Sequence, residues 1–407
     1  MLLTLVKNEL IKIFSRAKTW IVFGLFAIFV TGIAVISYKE AKSAEYYYSP
    51  QGQIENLNEQ KKWNNERLES LKNSNEDYAK EEIDSINIQN KRLDESIADQ
   101  QRLIDNKDDA DLWKTVLNNE KEKLQEDLNQ SNVSGDAKEY YEERLAEINN
   151  YLDKNQKPVE TWEFDGVNFG ISLTQILGVI ILVAGIAVFM SDIVSGESTP
   201  PTLKFLLVQP ITRGKVILSK FIAVVITVVG LIGGLEVIAF GIIGAIGGFN
   251  GAKMPLKIGV KYVWNYNQLD SAGMPSLTKV SGSGVMSTRG EALLQSFALQ
   301  ILFIIACCAF IFLISAVFKS SMTTMALSVI ISVASTMSCI VSKSIAKAAH
   351  LLFFNYGSTI NIITGDITHM FNNPNFNVGL GISLMCITIV VSYVLAHIIF
   401  SKKDILI

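Results

Sequence analysis

Apolar and polar residues alternate along this chain in long blocks. Six blocks are almost wholly apolar, and each is close to the ~20 residues that an α-helix needs to cross ~30 Å of hydrocarbon. The pattern therefore predicts an all-α membrane protein with six transmembrane helices and both chain ends on the same side of the bilayer. The predicted spans cover residues 20–37, 169–190, 221–247, 293–317, 322–342 and 378–400.

The first residues carry an amphipathic pattern instead. Between residues 2 and 19, apolar side chains recur at helical spacing, with Lys7, Lys12, Arg16 and Lys18 among them. A basic amphipathic helix suits the inner surface of a membrane, where its cations face the headgroups. We therefore expect an N-terminal amphipathic helix that leads into the first span.

A long polar block, residues 38–165, separates the first two apolar blocks. It is highly charged, has few prolines and glycines, and places Leu and Ile at irregular three- and four-residue steps. This spacing predicts helices with coiled-coil-like packing, joined by turns near residues 73–75, 106–109 and 131–136. We expect an antiparallel helical hairpin or bundle outside the cell. A single solvated helix or a disordered segment is the alternative, because the apolar content is low.

Two shorter polar segments interrupt the later spans. Residues 248–291 are rich in glycine and polar side chains, which predicts an irregular loop that can hold a short hairpin. Residues 343–377 are partly polar and contain several aromatic residues.

The net charge of -3 hides two regions of opposite sign. Residues 38–165 hold 18 Lys and Arg against 31 Asp and Glu, a net of -13, so the rest holds 18 basic and 8 acidic residues, a net of +10. The basic residues are scattered over the ends of the spans, which favours a membrane protein and argues against nucleic-acid binding. Short cytoplasmic loops are enriched in Lys and Arg, so we expect both termini and residues 191–220 to be cytoplasmic.

The sequence contains no motif that would support catalysis. The four cysteines lie in apolar blocks without metal-ligand spacing, and the three histidines are far apart. Gly214-Lys215 is followed by Val216 and lacks the leading glycine of a phosphate-binding loop. We therefore expect a non-catalytic chain with no metal site and no cofactor of its own, so that ATP and Mg²⁺ would be held by a separate subunit.

Glu236 is the one acidic residue in the middle of a predicted span. A carboxylate there is costly, which suggests a pathway residue that is protonated, paired or in contact with a cationic substrate. The alternative is a neutral acid that packs against a polar neighbour. Ser328, Ser332 and Ser335 make the fifth span polar on part of its surface, which suits a substrate pathway or hydrogen bonds to adjacent helices.

The most informative polar stretch is SDIVSGESTPPTLKFLLVQPITRGKVILSKF, residues 191–221. Its charges make burial in hydrocarbon costly, and prolines at 200, 201 and 210 bracket the short apolar segment TLKFLLV. A short helix held against the membrane surface is the predicted result, with Thr212 capping the helix that follows. An ordinary positively charged loop is the alternative.

The order of an acidic stretch, T-L-K-x-L-L and P-I-x-R-x-K-V-x-L-S-K-F resembles the permease subunits of ABC-2 type ABC transporters. KNELIKIFSRAKTW near the start and FSKKDIL at the end resemble the same family, and the resemblance covers the spans but not the insert. The chain has ESTPPT where many members have E-x-x-x-G-T. The resemblance implies that residues 191–220 form a coupling loop that contacts a cytoplasmic ATPase. The implied contact residues are Glu197, Leu203, Phe205, Leu206, Leu207, Arg213 and Lys215.

The resemblance also implies the biological setting. It predicts a multi-pass subunit of a bacterial exporter in the plasma membrane, which works with an ATP-binding subunit, a second permease copy or paralogue, and membrane lipid. An apolar core suggests an amphiphilic substrate such as an antimicrobial peptide, an antibiotic or a lipid. The alternative is a relay in which an ATPase moves the stalk to activate a cell-wall partner, without transport. The expected domains are residues 1–37, 38–165 and 166–407, with a re-entrant piece before the last span.

Overall fold

The computed structural model describes residues 2–72, 78–106, 109–129, 135–178, 180–198, 212–269 and 275–402. It is mostly helical. Its contacts divide the chain into two compact units, Ser37–Glu163 and the remainder. We call Ser37–Glu163 the charged unit and the remainder the apolar unit. Whether the charged unit lies outside the cell stays a prediction.

Two helices open the chain. α1 covers Leu2–Phe14 and α2 covers Ala17–Tyr48, so α2 begins in the apolar unit and its last residues belong to the charged unit. At a rise of ~1.5 Å per residue, a helix of 32 residues is about 48 Å long, which exceeds ~30 Å of hydrocarbon. α2 therefore extends beyond the apolar block from which the first span was predicted.

Four helices make up most of the charged unit, and they pack in two pairs. In the first pair, Lys61 binds Asp94 and Arg67 binds Glu82, so partners become closer in sequence toward the turn, as in an antiparallel hairpin. The second pair packs through buried Leu117, Leu124 and Ile148 and is tied by an ion pair between Arg144 and Glu120. The helices are α3, Pro50–Lys72; α4, Tyr78–Asp105; α5, Leu112–Leu128; and α6, Asp136–Asp153.

The apolar unit continues with helices that match the apolar blocks. Among the residues that the structure describes, five helices are long and apolar enough to cross a membrane: α2, α9, α10, α11 and α15. α7 and α8 are long and apolar enough to make one further span only when taken together, and they are bent by 63° relative to each other. The predicted count of six spans therefore depends on this pair. The bounds are α7, Gly166–Gly178; α8, Ile181–Met190; α9, Arg213–Gly247; α10, Arg289–Val317; α11, Ser321–Val341; α12, Lys343–Ala346; α13, Thr359–Thr364; α14, Ile367–Phe371; and α15, Val378–Lys402.

The segment predicted as an irregular loop, residues 248–291, contains four strands. They form two antiparallel pairs, β1 with β4 and β2 with β3, so one hairpin is nested within the other. Gly259, between β1 and β2, has a φ of +70°, a conformation that glycine adopts without steric cost. The glycines thus mark turns between strands. The strands are β1, Pro255–Ile258; β2, Tyr262–Leu269; β3, Pro275–Lys279; and β4, Val285–Thr288.

Short helical pieces fill most of residues 343–377, and many of their side chains are buried. Gly357 in this segment lies directly against Gly178, the last residue of α7, and a Cβ on either glycine would collide with the backbone of the other. The backbone of Gly259 also donates to Ile363 O at 2.7 Å. The segment therefore packs against the bend between α7 and α8 and against the strands. Its depth in a membrane stays a prediction.

Candidate functional site

Most of the residues predicted to contact an ATPase lie outside the described residues. The structure does describe the two flanks of that segment. One flank is the junction loop, Ser191–Ser198, which follows α8 and ends in a 3-10 helix. The other flank is the start of α9. The predicted contact groups outside the described part of the chain are Leu203, Phe205, Leu206, Leu207 and the side chain of Glu197.

The junction loop is bound to the N-terminal helices by an ion cluster. Asp192 Oδ2 lies 3.1 Å from Arg16 Nη1, and Asp192 Oδ1 lies 2.7 Å from Lys18 Nζ. Lys18 Nζ also donates to Ser191 Oγ at 3.0 Å. These side chains are about one-quarter to one-third exposed, so solvent weakens each pair. Two cations converge on one carboxylate, which gives the cluster a net charge of +1.

Both cations come from the elbow, residues 15–19, where α1 ends and α2 begins. Side chains after the break bond back to the last carbonyls of α1. Thr19 Oγ1 donates to Ile13 O at 2.6 Å, and Trp20 Nε1 donates to Phe14 O at 2.9 Å. These bonds satisfy carbonyls that have no partner within the helix. The elbow therefore holds its two cations in place for Asp192.

Buried hydroxyl groups bind the other side of the junction loop. Ser315 Oγ, near the end of α10, accepts from the backbone N–H groups of Val194 and Ser195 at 3.2 and 3.1 Å. Ser195 Oγ in turn donates to Ser191 O at 2.6 Å and lies 3.3 Å from Ser321 Oγ, in the first turn of α11, from which it can accept. Because Ser195 and Ser315 are almost fully buried, losing either hydroxyl would leave polar groups without partners.

The start of α9 is bound to α1 by a buried ion pair. Lys220 Nζ lies 2.8 Å from Glu9 Oε1. The side chain of Lys220 is 1% exposed and that of Glu9 is 13% exposed, so water screens this pair far less than the Asp192 cluster. Removing the carboxylate alone would take its counterion from a buried cation, which is costly.

The same end of α9 also contacts the last helix. Arg213 Nη1 donates to Ser401 O at 3.1 Å, and Gly214 lies against His397, whose ring would clash with a Cβ at that position. Thr212 occupies the N-cap position with an extended backbone, but its side chain makes no capping hydrogen bond, so that predicted contact is wrong. Lys215 is exposed.

Together these contacts make a mechanical linkage. The junction loop and the start of α9 flank residues 199–211 in the sequence, and both flanks are fastened to helices of the apolar unit: α1, the elbow, the end of α10, the start of α11, and α15. A force on the segment would reach several helices at once through ion pairs and buried hydrogen bonds. Among the described residues, no group of three or more His, Cys, Asp or Glu is placed to hold a metal ion.

Glu236 lies on α9, away from this linkage, and is 2% exposed. Its Oε1 accepts from Gln300 Nε2 of α10 at 2.9 Å, while Gln300 Oε1 is buried and has no hydrogen-bond partner. The structure therefore places Glu236 in a contact between two helices. This contact is compatible with the packing interpretation and does not test the pathway interpretation.

We expect Glu236→Gln to fold as well as the natural chain, because a second amide can accept from Gln300 Nε2 and can also donate to Gln300 Oε1. Glu236→Leu should lower the free energy of unfolding by ~1–3 kcal/mol, because the buried amide of Gln300 then loses its partner. Thermal unfolding of the two purified variants measures the difference. Altered substrate-stimulated ATPase activity in the well-folded Gln variant would instead support a pathway role.

The predicted pathway serines lie on α11. Ser328 and Ser332 are buried and Ser335 is half-buried. Ser332 Oγ donates to Ser328 O at 2.8 Å, and Ser335 Oγ donates to Ser332 O at 2.9 Å, so the hydroxyls of Ser332 and Ser335 bond within their own helix. The structure does not bring them into hydrogen-bonding contact with Glu236.

Sequence reasoning missed the residues that form the linkage. Arg16, Lys18 and Lys220 were counted only as basic residues near a membrane, and Ser315 was part of an apolar block. The sequence signal that could have found them is the small number of acidic residues in these basic segments. Glu9 and Asp192 are among the few acidic residues in segments rich in Lys and Arg, and each of them pairs with cations in the structure.

Comparison with known proteins places the chain in a wider group. A family model described as "ABC-2 family transporter protein" matches residues 3–405, which is nearly the whole chain. The match includes the insert, to which the resemblance seen in the sequence did not extend. No curated protein and no solved structure gives a significant match.

Proposed function

Because this chain belongs to the ABC-2 family of transporter proteins, we propose that it is the permease subunit of an ATP-driven exporter. Membership of the family and several long apolar helices make it a multi-pass membrane protein, and the family's permeases are generally non-catalytic subunits that work with an ATP-binding subunit. The observation that carries the proposal is the linkage around residues 199–211. It fastens the two flanks of the segment that we propose contacts the ATPase to five helices of the apolar unit.

In the proposed mechanism, the ATPase holds ATP and Mg²⁺ and receives the apolar side chains of residues 203–207. Nucleotide binding moves this segment, and its two flanks pass the motion to the elbow and to the start of α9. Such coupling requires that nucleotide and substrate each prefer one of two arrangements of the helices. A second permease copy or a paralogue would complete the pathway, and Glu236, Ser328, Ser332 and Ser335 are candidates to line it.

We place both termini and residues 191–220 in the bacterial cytoplasm, with the insert outside. In a cysteine-free background, Cys at Ser85 or Asn267, both exposed, should react with an impermeant thiol reagent added to whole cells. Cys at the exposed Thr212 should react only after the membrane is opened. Labelling of the Thr212 variant in intact cells would overturn this orientation and the six-span topology.

Export is tested by reconstitution. The chain, purified with its partner ATPase, should hydrolyse ATP faster in vesicles when a transported amphiphile is added. Cationic antimicrobial peptides, antibiotics and lipids are the classes to screen, because an apolar membrane core with few charges suits such molecules. Stimulated hydrolysis with movement of the compound across the vesicle membrane is expected. If no class of compound produces either effect, the result contradicts export.

The second candidate function is a relay to a cell-wall partner, and one observation favours it. α2 is a single continuous helix that starts at the elbow, beside the Asp192 cluster, and ends within the charged unit. A continuous helix can carry motion along its length. Activation of a cell-wall partner that requires the insert and the ATPase, without movement of any compound in vesicles, would favour the relay over export.

A further inference from the structure

An apolar groove of about 390 Å³ lies between α2, α8 and α9. Among the described residues that line it, the side chains are aliphatic or aromatic except for Thr19 and Gly185. The Thr19 hydroxyl is already used, since it donates to Ile13 O. The volume lies within the ~300–1,000 Å³ typical of ligand pockets, and the lining offers an occupant nothing but apolar contact.

The ion cluster of the elbow stands at one end of this groove. Thr19 lines the groove and directly follows Lys18, while Phe189 lines it and stands two residues before Ser191, which Lys18 binds. Arg16 and Lys18 remain 28% and 35% exposed. Among the described residues, Asp192 is the carboxylate paired with these two cations, so this part of the groove's end carries a net positive charge that an outside anion can reach.

We propose that this groove binds an anionic phospholipid, with an acyl chain between α2, α8 and α9 and the phosphate beside Arg16 and Lys18. The two parts of the site match the two parts of such a molecule. A second copy of this chain suits the groove less well. In a symmetric pair related by an axis along the membrane normal, two net-positive clusters would lie at the same depth and repel each other.

This site would add membrane lipid to the linkage. The headgroup would share Arg16 and Lys18 with Asp192, and the acyl chain would pack against α8, whose end continues into the junction loop. A bound lipid would therefore contact the two cations of the Asp192 cluster and also the helix that leads to Asp192. This inference concerns lipid binding by the permease alone and does not depend on export or on an ATPase.

The test uses the full-length chain without an ATPase, in nanodiscs of phosphatidylcholine with phosphatidylglycerol. After extraction and detergent washing, native mass spectrometry counts the lipids that remain on each protein molecule. We expect the natural chain to retain phosphatidylglycerol in at least tenfold preference over phosphatidylcholine. Equal retention of the two lipids would overturn the anionic site without any variant.

Two glycines offer a variant inside the groove and a matched control outside it. Gly185 lines the groove and Gly24 on α2 does not, and a Cβ at either meets nothing within 4 Å. Gly185→Phe should fill the groove and cut retained phosphatidylglycerol about tenfold, whereas Gly24→Phe should retain it. Ala184→Phe, also in the groove, serves as a second filling variant. Equal lipid on filled and control variants overturns the proposal, as does loss of a dimer in the filled variants with lipid unchanged, which would identify a second copy as the occupant.

Discussion

Leu206→Asp should abolish the stable association of this permease with its ATPase. The side chain belongs to the apolar segment TLKFLLV, and a partner that receives such a segment does so through buried apolar anchors. Burying a carboxylate in place of leucine should weaken the complex by ~2–4 kcal/mol, which corresponds to roughly 30- to 1,000-fold in Kd. Phe205→Ala should act in the same direction with a smaller effect. The measurement is the amount of ATPase that co-purifies with the tagged permease.

Lys215→Ala is the matched control, because Lys215 follows the same segment but is exposed. A charge at the rim of an interface contributes little, so binding should change by less than about threefold. Thermal unfolding of each permease variant shows whether the membrane fold survives. If Leu206→Asp retains full co-purification and full activity, the segment is not where the ATPase binds, although the chain would remain a member of its family.

Glu9→Leu should destabilise the apolar unit more than any substitution at the exposed charges of α1. It removes the carboxylate paired with the ammonium of Lys220, which is 1% exposed, and loss of one partner from a buried ion pair costs ~3–5 kcal/mol. Because Glu9 keeps some exposure and Lys220 has a further interaction, we expect ~2–3 kcal/mol. The midpoint of thermal unfolding of the purified chain should fall by several degrees.

The double variant Glu9→Leu with Lys220→Met gives the decisive comparison. Replacing both ions of a buried pair by apolar residues is often close to neutral, so the double variant should regain most of the stability lost by the single one. Lys7→Leu, an exposed charge on the same helix, should change stability by less than ~0.5 kcal/mol. A double variant as unstable as the single would mean that the destabilisation does not come from removing the counterion of Lys220.

The long helices could be read from the sequence because each is defined by its own composition. The apolar blocks at 221–247, 293–317, 322–342 and 378–400 lie within or overlap α9, α10, α11 and α15. The block 169–190 looked equally continuous but forms two helices. Its interruption lies where Gly178 meets Gly357, a contact with a segment far away in the chain. Hydropathy is a local property of the sequence, so it cannot indicate such a contact.

For the candidate site, too, the sequence predicted one part and missed another. Its position between two spans followed from local features: charges that are costly in hydrocarbon, prolines that end helices, and a short apolar segment between them. The partners of its flanks did not follow, nor did the pairing of four strands within a segment rich in glycine. Strand pairing depends on which segments meet across a turn, and glycine content reports only the turns.

By itself the sequence determined the class of this protein: a membrane chain with an acidic helical insert and a loop resembling that of ABC-2 permeases. Transfer to hydrocarbon and helical periodicity act over a few turns, so they are legible in a local window. Only the tertiary structure decided which charges act together. Asp192 meets Arg16 across 176 positions of sequence, and Lys220 meets Glu9 across 211. An ion pair requires proximity in space within ~4 Å, and the packing of whole helices creates that proximity.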